Sequence, residues 1–133
     1  DATVFNREFE DAFDCVLCDA PCSGFGVLSS KPDIKLFRKE SDVEELAALQ
    51  SKILSVAARY VKRGGSLVYS TCTVFKREND DVVNGFLLEN KNFAAEKIDL
   101  PVDTACGMEK FARFFPFRDG FDGFFIASLK RLV

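Results

Sequence analysis

Phe13-Asp14-Cys15-Val16-Leu17-Cys18-Asp19-Ala20-Pro21-Cys22-Ser23-Gly24 places an apolar run, a turn and a cysteine in direct succession. A short apolar run bounded by Asp and Pro reads as a buried strand of a parallel sheet. Cys22 then lies just beyond the carboxyl end of that strand. Gly64-Gly65-Ser66-Leu67-Val68-Tyr69-Ser70-Thr71-Cys72-Thr73 repeats the arrangement, with a strand from Ser66 to Thr71 and Cys72 at its end. Open α/β sheets hold their ligands in the crevice beyond the carboxyl ends of the strands. Two thiols from neighbouring strand ends therefore face one cleft, a geometry that suits a nucleophile with a partner.

Between these stretches, Ser41-Asp42-Val43-Glu44 reads as a capping box. Val43, Leu46, Leu49, Ile53, Leu54, Ala57 and Val61 recur at helical spacing to about Lys62, and Gly64 supplies a left-handed residue to end the helix. A second helix is predicted from Glu78 to Glu89, with Val82, Val83, Phe86 and Leu87 inward. Asn92 to Ile98 is read as a third strand and Phe121 to Leu132 as a fourth, separated by an irregular, Phe-rich stretch from Asp99 to Asp119. This order implies parallel βαβ units with right-handed crossovers, finished by a hairpin-like pair. It is the second half of a doubly wound sheet. The glycine-rich nucleotide loop of a first half is missing, and Gly24-Phe25-Gly26 is no dinucleotide fingerprint.

Composition bounds the function. With 133 residues, 47% hydrophobic and fifteen of them Phe, the chain is one globular domain rather than a disordered tail. No segment reads as a signal peptide, and no apolar run is long enough for a membrane span. Five cysteines, an odd number without regular spacing, point to a reducing cytoplasm. A net charge of −3 gives no overall basic footprint for nucleic acid. Basic residues do cluster near the cysteine motifs: Lys31, Lys35, Arg38 and Lys39 after the first, Lys76 and Arg77 after the second. Each cluster taken alone reads as solvated surface. The opening Asp1-Ala2-Thr3 has no initiator Met and reads as part of a larger protein.

The five cysteines are not equivalent. Cys15 and Cys18 point to opposite faces of a strand, which makes them poor co-ligands, and the chain has no His to complete a metal set. Both read as small core residues, and Cys106 as a loop residue without an assigned role. Cys22 and Cys72 sit instead among turn and hydroxyl residues, where packing gives no reason for a thiol.

Asp19-Ala20-Pro21-Cys22-Ser23-Gly24, Lys31-Pro32-Asp33-Ile34-Lys35, the Gly64 to Thr73 stretch and Asp122-Gly123-Phe124-Phe125-Ile126-Ala127 resemble the bacterial Sun/Fmu (RsmB-type) RNA cytosine-5 methyltransferases. The resemblance covers nearly the whole chain. It implies a Rossmann-like class I methyltransferase fold of α/β class. Residues 1–133 would be the C-terminal half of its doubly wound, mostly parallel sheet, lacking the cofactor-loop half and the RNA-binding region. It also implies S-adenosylmethionine as cofactor and small-subunit (16S) ribosomal RNA as substrate. By that resemblance Cys72 is the thiolate that adds to cytosine C6, and Cys22 assists release of the methylated base. Asp19 would bond the base near N3 and N4 beside the methyl donor, with Pro21 on the cofactor side and Asp1 at the adenine. Lys31, Lys35 and Arg38 would hold flanking phosphates.

Two other readings stand beside this one. A non-catalytic RNA-binding or assembly fragment is favoured by the acidic balance and the missing cofactor half. A thiol redox protein is disfavoured because no C-x-x-C opens a helix. An apolar strand that has lost its neighbour should also recruit another chain by edge pairing, or be covered by Asp1 to Asp11.

Overall fold

The computed structural model describes residues 1–98 and 110–133. In chain order the elements are β1 (Phe13–Asp19), α1 (Ile34–Phe37), α2 (Glu40–Ala58), β2 (Val61–Thr71), α3 (Asp80–Glu89), β3 (Phe93–Glu96), β4 (Ala112–Phe114), α4 (Pro116–Asp119) and β5 (Phe124–Arg131). The sheet order is β1-β2-β5-β3, with β4 also on β5. β1 and β2 run parallel, with Val16 opposite Leu67 and Cys18 opposite Tyr69. β5 runs antiparallel to β2, and its far edge is shared by β3 and β4. All the described strands except β5 therefore point the same way. The α/β, Rossmann-like class stands, with a mixed sheet in which the last strand inserts between β2 and β3.

The core lies on one face of this sheet. Leu67, Tyr69 and Thr71 of β2 alternate inward and meet their register partners Leu129, Ala127 and Phe125 of β5, all at most 1% exposed. α2 and α3 pack on each other and on that face. Leu54, Ala57 and Ala58 come from α2, and Val82, Val83 and Phe86 from α3. The inward set expected of the second helix is thus buried, with Leu87 partly so.

Several sequence expectations change. The apolar run predicts a buried strand, yet only Cys18 in β1 is buried. Phe13, Cys15 and Leu17 share the opposite face, where Phe9 packs on Phe13 at 5.6 Å while Leu17 stays 69% exposed. Cys15 is accordingly not a core residue. The helix expected from Ser41 starts at Glu40, and its opening turn is closed by Asp42 Oδ2, which accepts the Lys39 backbone N–H at 3.0 Å. Glu44 is instead drawn outward to Arg77. Gly64 does adopt φ +76, but inside β2 rather than at a helix end. Phe13 pairs with Val61 while Cys15 pairs with Ser66, so Lys62 to Gly65 form a bulge opposite Asp14. The Phe-rich stretch is regular in its described part, where Ala112–Phe114 adds to the free edge of β5. Cys106 lies outside the described residues.

Residues Asp1 to Asp11 are held at the amino-terminal end of β1 and β2. Phe5 stacks on Tyr60 at 5.7 Å, and the Asn6 N–H donates to the Tyr60 hydroxyl at 2.8 Å. The N–H groups of Asp11 and Ala12 donate to the carbonyls of Arg59 and Tyr60.

Candidate active site

β1 and β2 end side by side, and the ladder continues one step further through the Ala20 N–H to the Ser70 carbonyl at 3.0 Å. This register delivers the two cysteine loops to one point. The sulfurs of Cys22 and Cys72 lie 3.2 Å apart, both half-buried. One residue on, the hydroxyls of Ser23 and Thr73 meet at 3.0 Å. Two strands unconnected in sequence thus present matched thiol and hydroxyl rungs.

Beyond the thiols the loop after Cys22 is laced back to the sheet. The Gly26 N–H donates to the Cys72 carbonyl at 2.9 Å, and the Gly123 N–H donates to the Gly26 carbonyl at 2.7 Å. A Cβ on Gly26 would stand 2.2 Å from the Gly123 carbonyl oxygen and 2.7 Å from that of Cys72. Only glycine allows this approach, and it ties the ends of β2 and β5 to the Cys22 loop.

Beneath the rungs sits Glu78, at 0% exposure. Its Oε2 accepts the Ser23 hydroxyl at 2.6 Å and the Thr73 hydroxyl at 3.1 Å. Its Oε1 accepts the Ser23 N–H at 2.8 Å and Gln50 Nε2 at 3.1 Å. Gln50 reaches in from α2 and also donates to the Pro21 carbonyl at 2.9 Å, which leaves its own Oε1 buried without a partner. Asn79 completes the setting, donating to the Thr73 carbonyl at 3.0 Å while pairing through Oδ1 with the Thr71 hydroxyl. The Tyr69 hydroxyl donates to the Glu78 carbonyl at 2.7 Å, and burial pushes its own ionisation well up.

Burial, then the hydrogen bond to Cys72, push the Cys22 thiol up to about 12. Cys22 therefore holds its proton at neutral pH and can present an S–H to the neighbouring sulfur. Cys18, buried beside Asp19, is pushed up to about 11. It packs in the core beneath the strand and does not share in the thiol pair.

The residues singled out from the sequence do not all converge. Cys22 and Cys72 meet, and Asp19 stands at the same strand end, exposed, its Oδ1 accepting the Ser70 hydroxyl at 2.8 Å. Pro21 is exposed beside it. Asp1 accepts from Thr3 at its own turn and lines a cleft with Phe5, Arg7 and Tyr60 that contains neither cysteine nor Asp19. Lys31 and Lys35 are exposed, whereas Arg38 lines a groove with Phe25, Phe75, Lys76 and Arg77. A neighbouring cavity of about 490 Å³ opens at Thr73 and is lined by Lys76, Asp80, Arg113, Phe115 and Arg118. Glu78, Gln50 and Asn79 were missed, because a Glu-Asn pair before a helix looks like an ordinary helix start. Among the described residues no group of three or more His, Cys, Asp and Glu could hold a metal ion, and no helix is long and apolar enough to cross a membrane.

A Rossmann-like sheet with its polar chemistry gathered at the carboxyl strand ends is the fold of methyltransferases of known structure. The family described as 16S rRNA methyltransferase RsmB/F matches residues 1–130, and the chain belongs to that family. It is 42% identical over 137 residues to a probable ribosomal RNA small subunit methyltransferase B of Bacillus subtilis (strain 168), covering 98% of this chain and 30% of that protein. A crystal structure of PH0851 superposes with a TM-score of 0.84 at 36% identity, over 92% of this chain and 27% of that one. NSun6 from Pyrococcus horikoshii, solved with SFG, superposes with a TM-score of 0.72 at 34% identity, over 88% and 29%. The chain spans 26–30% of the length of the curated relatives named methyltransferase B or F.

Proposed function

We propose that residues 1–133 form the C-terminal portion of the catalytic domain of a cytoplasmic, S-adenosylmethionine-dependent methyltransferase. Its product would be 5-methylcytosine in 16S ribosomal RNA. The observation that carries this reading is the 3.2 Å contact between two thiols delivered by adjacent strand ends. Family membership supports the substrate class, and a neighbour solved with SFG, an S-adenosylmethionine analogue, supports the cofactor.

The strand end fits the methyl-bearing part of that cofactor. Asp19 offers an exposed carboxyl beside Pro21, which suits a sulfonium cation. These two residues would hold that end, and S-adenosylmethionine supplies an electrophilic methyl group when bound.

Cytosine C5 is a weak nucleophile, and a thiolate overcomes this by covalent addition. In the proposed sequence Cys72, having released its thiol proton to solvent, bonds through Sγ to C6 and raises electron density at C5, which would then take the methyl group as the sulfonium sulfur keeps the electrons of the broken S–CH3 bond. Asp19 accepts from the N4 amino group at the N3–N4 edge and so orients the ring over Cys72. Transfer of the C5 proton to a water molecule leaves its electron pair to form the C5–C6 double bond and expels Cys72 as thiolate. Cys22, which holds its proton at neutral pH, stands 3.2 Å away to give that sulfur a hydrogen bond as it leaves. The target base must leave its stack to reach half-buried sulfurs. The cavity at Thr73, with Lys76, Arg113 and Arg118, supports a place for the flanking nucleotides, with Lys31, Lys35 and Arg38 on outer phosphates. Arg113 is paired with Asp80 there, so RNA would have to compete for it.

The test uses the full-length protein with radiolabelled cofactor and unmethylated small-subunit RNA. Cys72→Ala should abolish methyl transfer and form no covalent adduct. Cys22→Ala should trap a denaturation-resistant protein–RNA adduct that the double variant lacks. Full activity in Cys72→Ala sinks the nucleophile assignment, and an adduct in Cys72→Ala alone reverses the two roles.

A further inference from the structure

Among the described residues Glu78 hydrogen-bonds neither sulfur and is buried completely, yet its carboxyl group is the meeting point of three separate segments. The Cys22 loop donates to it twice, through the N–H and the hydroxyl of Ser23. The Cys72 loop donates once, through the hydroxyl of Thr73. Helix α2 donates once, through Gln50, which also holds the Pro21 carbonyl. Ser23 and Thr73 are the residues immediately after the two cysteines, and each is at most 1% exposed. A buried carboxyl costs stability unless its oxygens are matched. Here both oxygens are matched, and the donors are the backbone and side chains that set where the cysteines end.

We infer that Glu78 is a positioning residue that holds the Cys22 and Cys72 loops at thiol–thiol contact. The inference rests on the proposed roles of the two cysteines for its consequence in catalysis, and on geometry alone for its consequence at the sulfurs. Without the carboxyl, Ser23 and Thr73 lose their common acceptor. What then still joins the two loops is the Ser23–Thr73 contact, the Gly26 N–H to the Cys72 carbonyl and the packing of Phe25 on Phe75, none of which fixes the residues next to the sulfurs through a shared acceptor. Misplacement of a reacting group by about 1 Å can cost about a hundredfold in rate. Gln at position 78 can keep most of the brace. Its amide oxygen would accept from the Ser23 N–H and from Gln50. Its NH2 would donate to the two hydroxyls, which can turn to accept.

Phenylarsine oxide reports the contact directly, because it bridges two adjacent thiols with loss of one water and leaves an isolated thiol unbridged. In the full-length protein, peptide mapping should find Cys22 and Cys72 bridged by arsenic in the wild type and in Glu78→Gln, but not in Glu78→Ala. Methyl transfer by Glu78→Ala should fall about a hundredfold in kcat, with KM for cofactor and RNA within about threefold. Glu78→Gln should recover most of kcat. Should Glu78→Ala not fold, Ser23→Ala/Thr73→Val removes the same hydroxyl contacts and carries the same expectations. A folded Glu78→Ala with wild-type bridging and kcat overturns the inference, as does Glu78→Gln losing the bridge as fully as Ala. The arsenical arm is independent of which cysteine attacks cytosine, so failure of Cys72→Ala to lose activity sinks the proposed chemistry and leaves the brace to be judged on the bridge.

Discussion

The carboxyl end of β1 and its outer flank are neighbours in sequence and opposites in construction. At the end, Ala20 is 6% and Ser23 1% exposed, and Ser23 is bonded to Glu78 and Thr73. On the flank, Phe13 and Leu17 stand 41% and 69% exposed, with Phe9 packed against Phe13 alone of the two. The apolar run that suggested a buried strand continues through both regions. What separates them is the presence of neighbours: β2, the glycine contacts and Glu78 on one side, and no described strand on the other. Hydrophobic sequence says what a strand can bury, whereas the chain packed beside it decides what is buried.

The largest break in that comparison should come from Gly26. In Gly26→Ala the new methyl meets the backbone oxygens of Gly123 and Cys72, neither of which can give without moving a strand end. Overpacking against fixed backbone should cost about 3 kcal/mol and displace the Cys22 loop. Gly85→Ala is the control, since nothing lies within 4 Å of a Cβ there and the residue sits in α3. It should stabilise by about 0.5–1 kcal/mol. Urea titration of both variants checks this, and a Gly26→Ala as stable as Gly85→Ala would show that the three strand ends are not rigidly joined.

Much of this end was legible from the sequence, and its failures share a cause. Short apolar runs locate β1 and β2, and turn residues locate their ends, so the cysteines can be brought together by the rule for open α/β sheets. Glu78 could not be found that way, because its partners lie at Ser23 and Gln50, far away along the chain. A long-range polar network leaves no period in the sequence. β4 was missed because three residues are too few for a pattern, and its strand exists only where β5 offers a free edge. Gly64 has the left-handed conformation its sequence context predicts, but inside a strand. A positive φ serves a bulge as well as a helix end, and only the pairing of Phe13 with Val61 distinguishes them.

A smaller effect separates two cysteines by pH. Cys15 is exposed on the flank, while Cys22 is held at about 12 by burial and by Cys72. Alkylation by iodoacetamide at pH 8 should label Cys15 and spare Cys22, because the thiolate is the reacting form. The same shift bears on stability. A thiol whose folded pKa is raised from 9.0 to about 12 favours the folded state fully below pH 9. That contribution is lost as pH rises from 9 toward 12, because only the unfolded chain then releases the proton readily. Denaturation midpoints should therefore fall across this window and fall less in Cys22→Ala. Equal alkaline sensitivity in the two proteins would mean that Cys22 does not resist ionisation.

The smallest effect on stability, and the sharpest test of the flank, is Leu17→Lys. Leu17 is 69% exposed and takes no part in the buried cluster, so the substitution should change folding stability by no more than about 0.5 kcal/mol. Its consequence should appear between molecules. β1 is the last described strand on its side of the sheet. Residues Asp1 to Asp11 are tied to Arg59 and Tyr60 at its amino end, and none of the backbone hydrogen bonds among the described residues joins residues 1–10 to residues 14–19. An apolar edge of this kind pairs with another chain, and a charge placed on it discourages that pairing. The 133-residue chain should therefore self-associate as its concentration rises in sedimentation, and Leu17→Lys should weaken that association while leaving the melting transition in place. Amide exchange separates the remaining outcomes. If the unsubstituted chain stays monomeric while residues 15–18 exchange as slowly as Leu67 and Tyr69, the edge is covered within the chain and the contrast between the two ends of β1 fails. If those amides exchange quickly in the monomer and slow on association, the flank is the surface that a neighbouring strand would occupy.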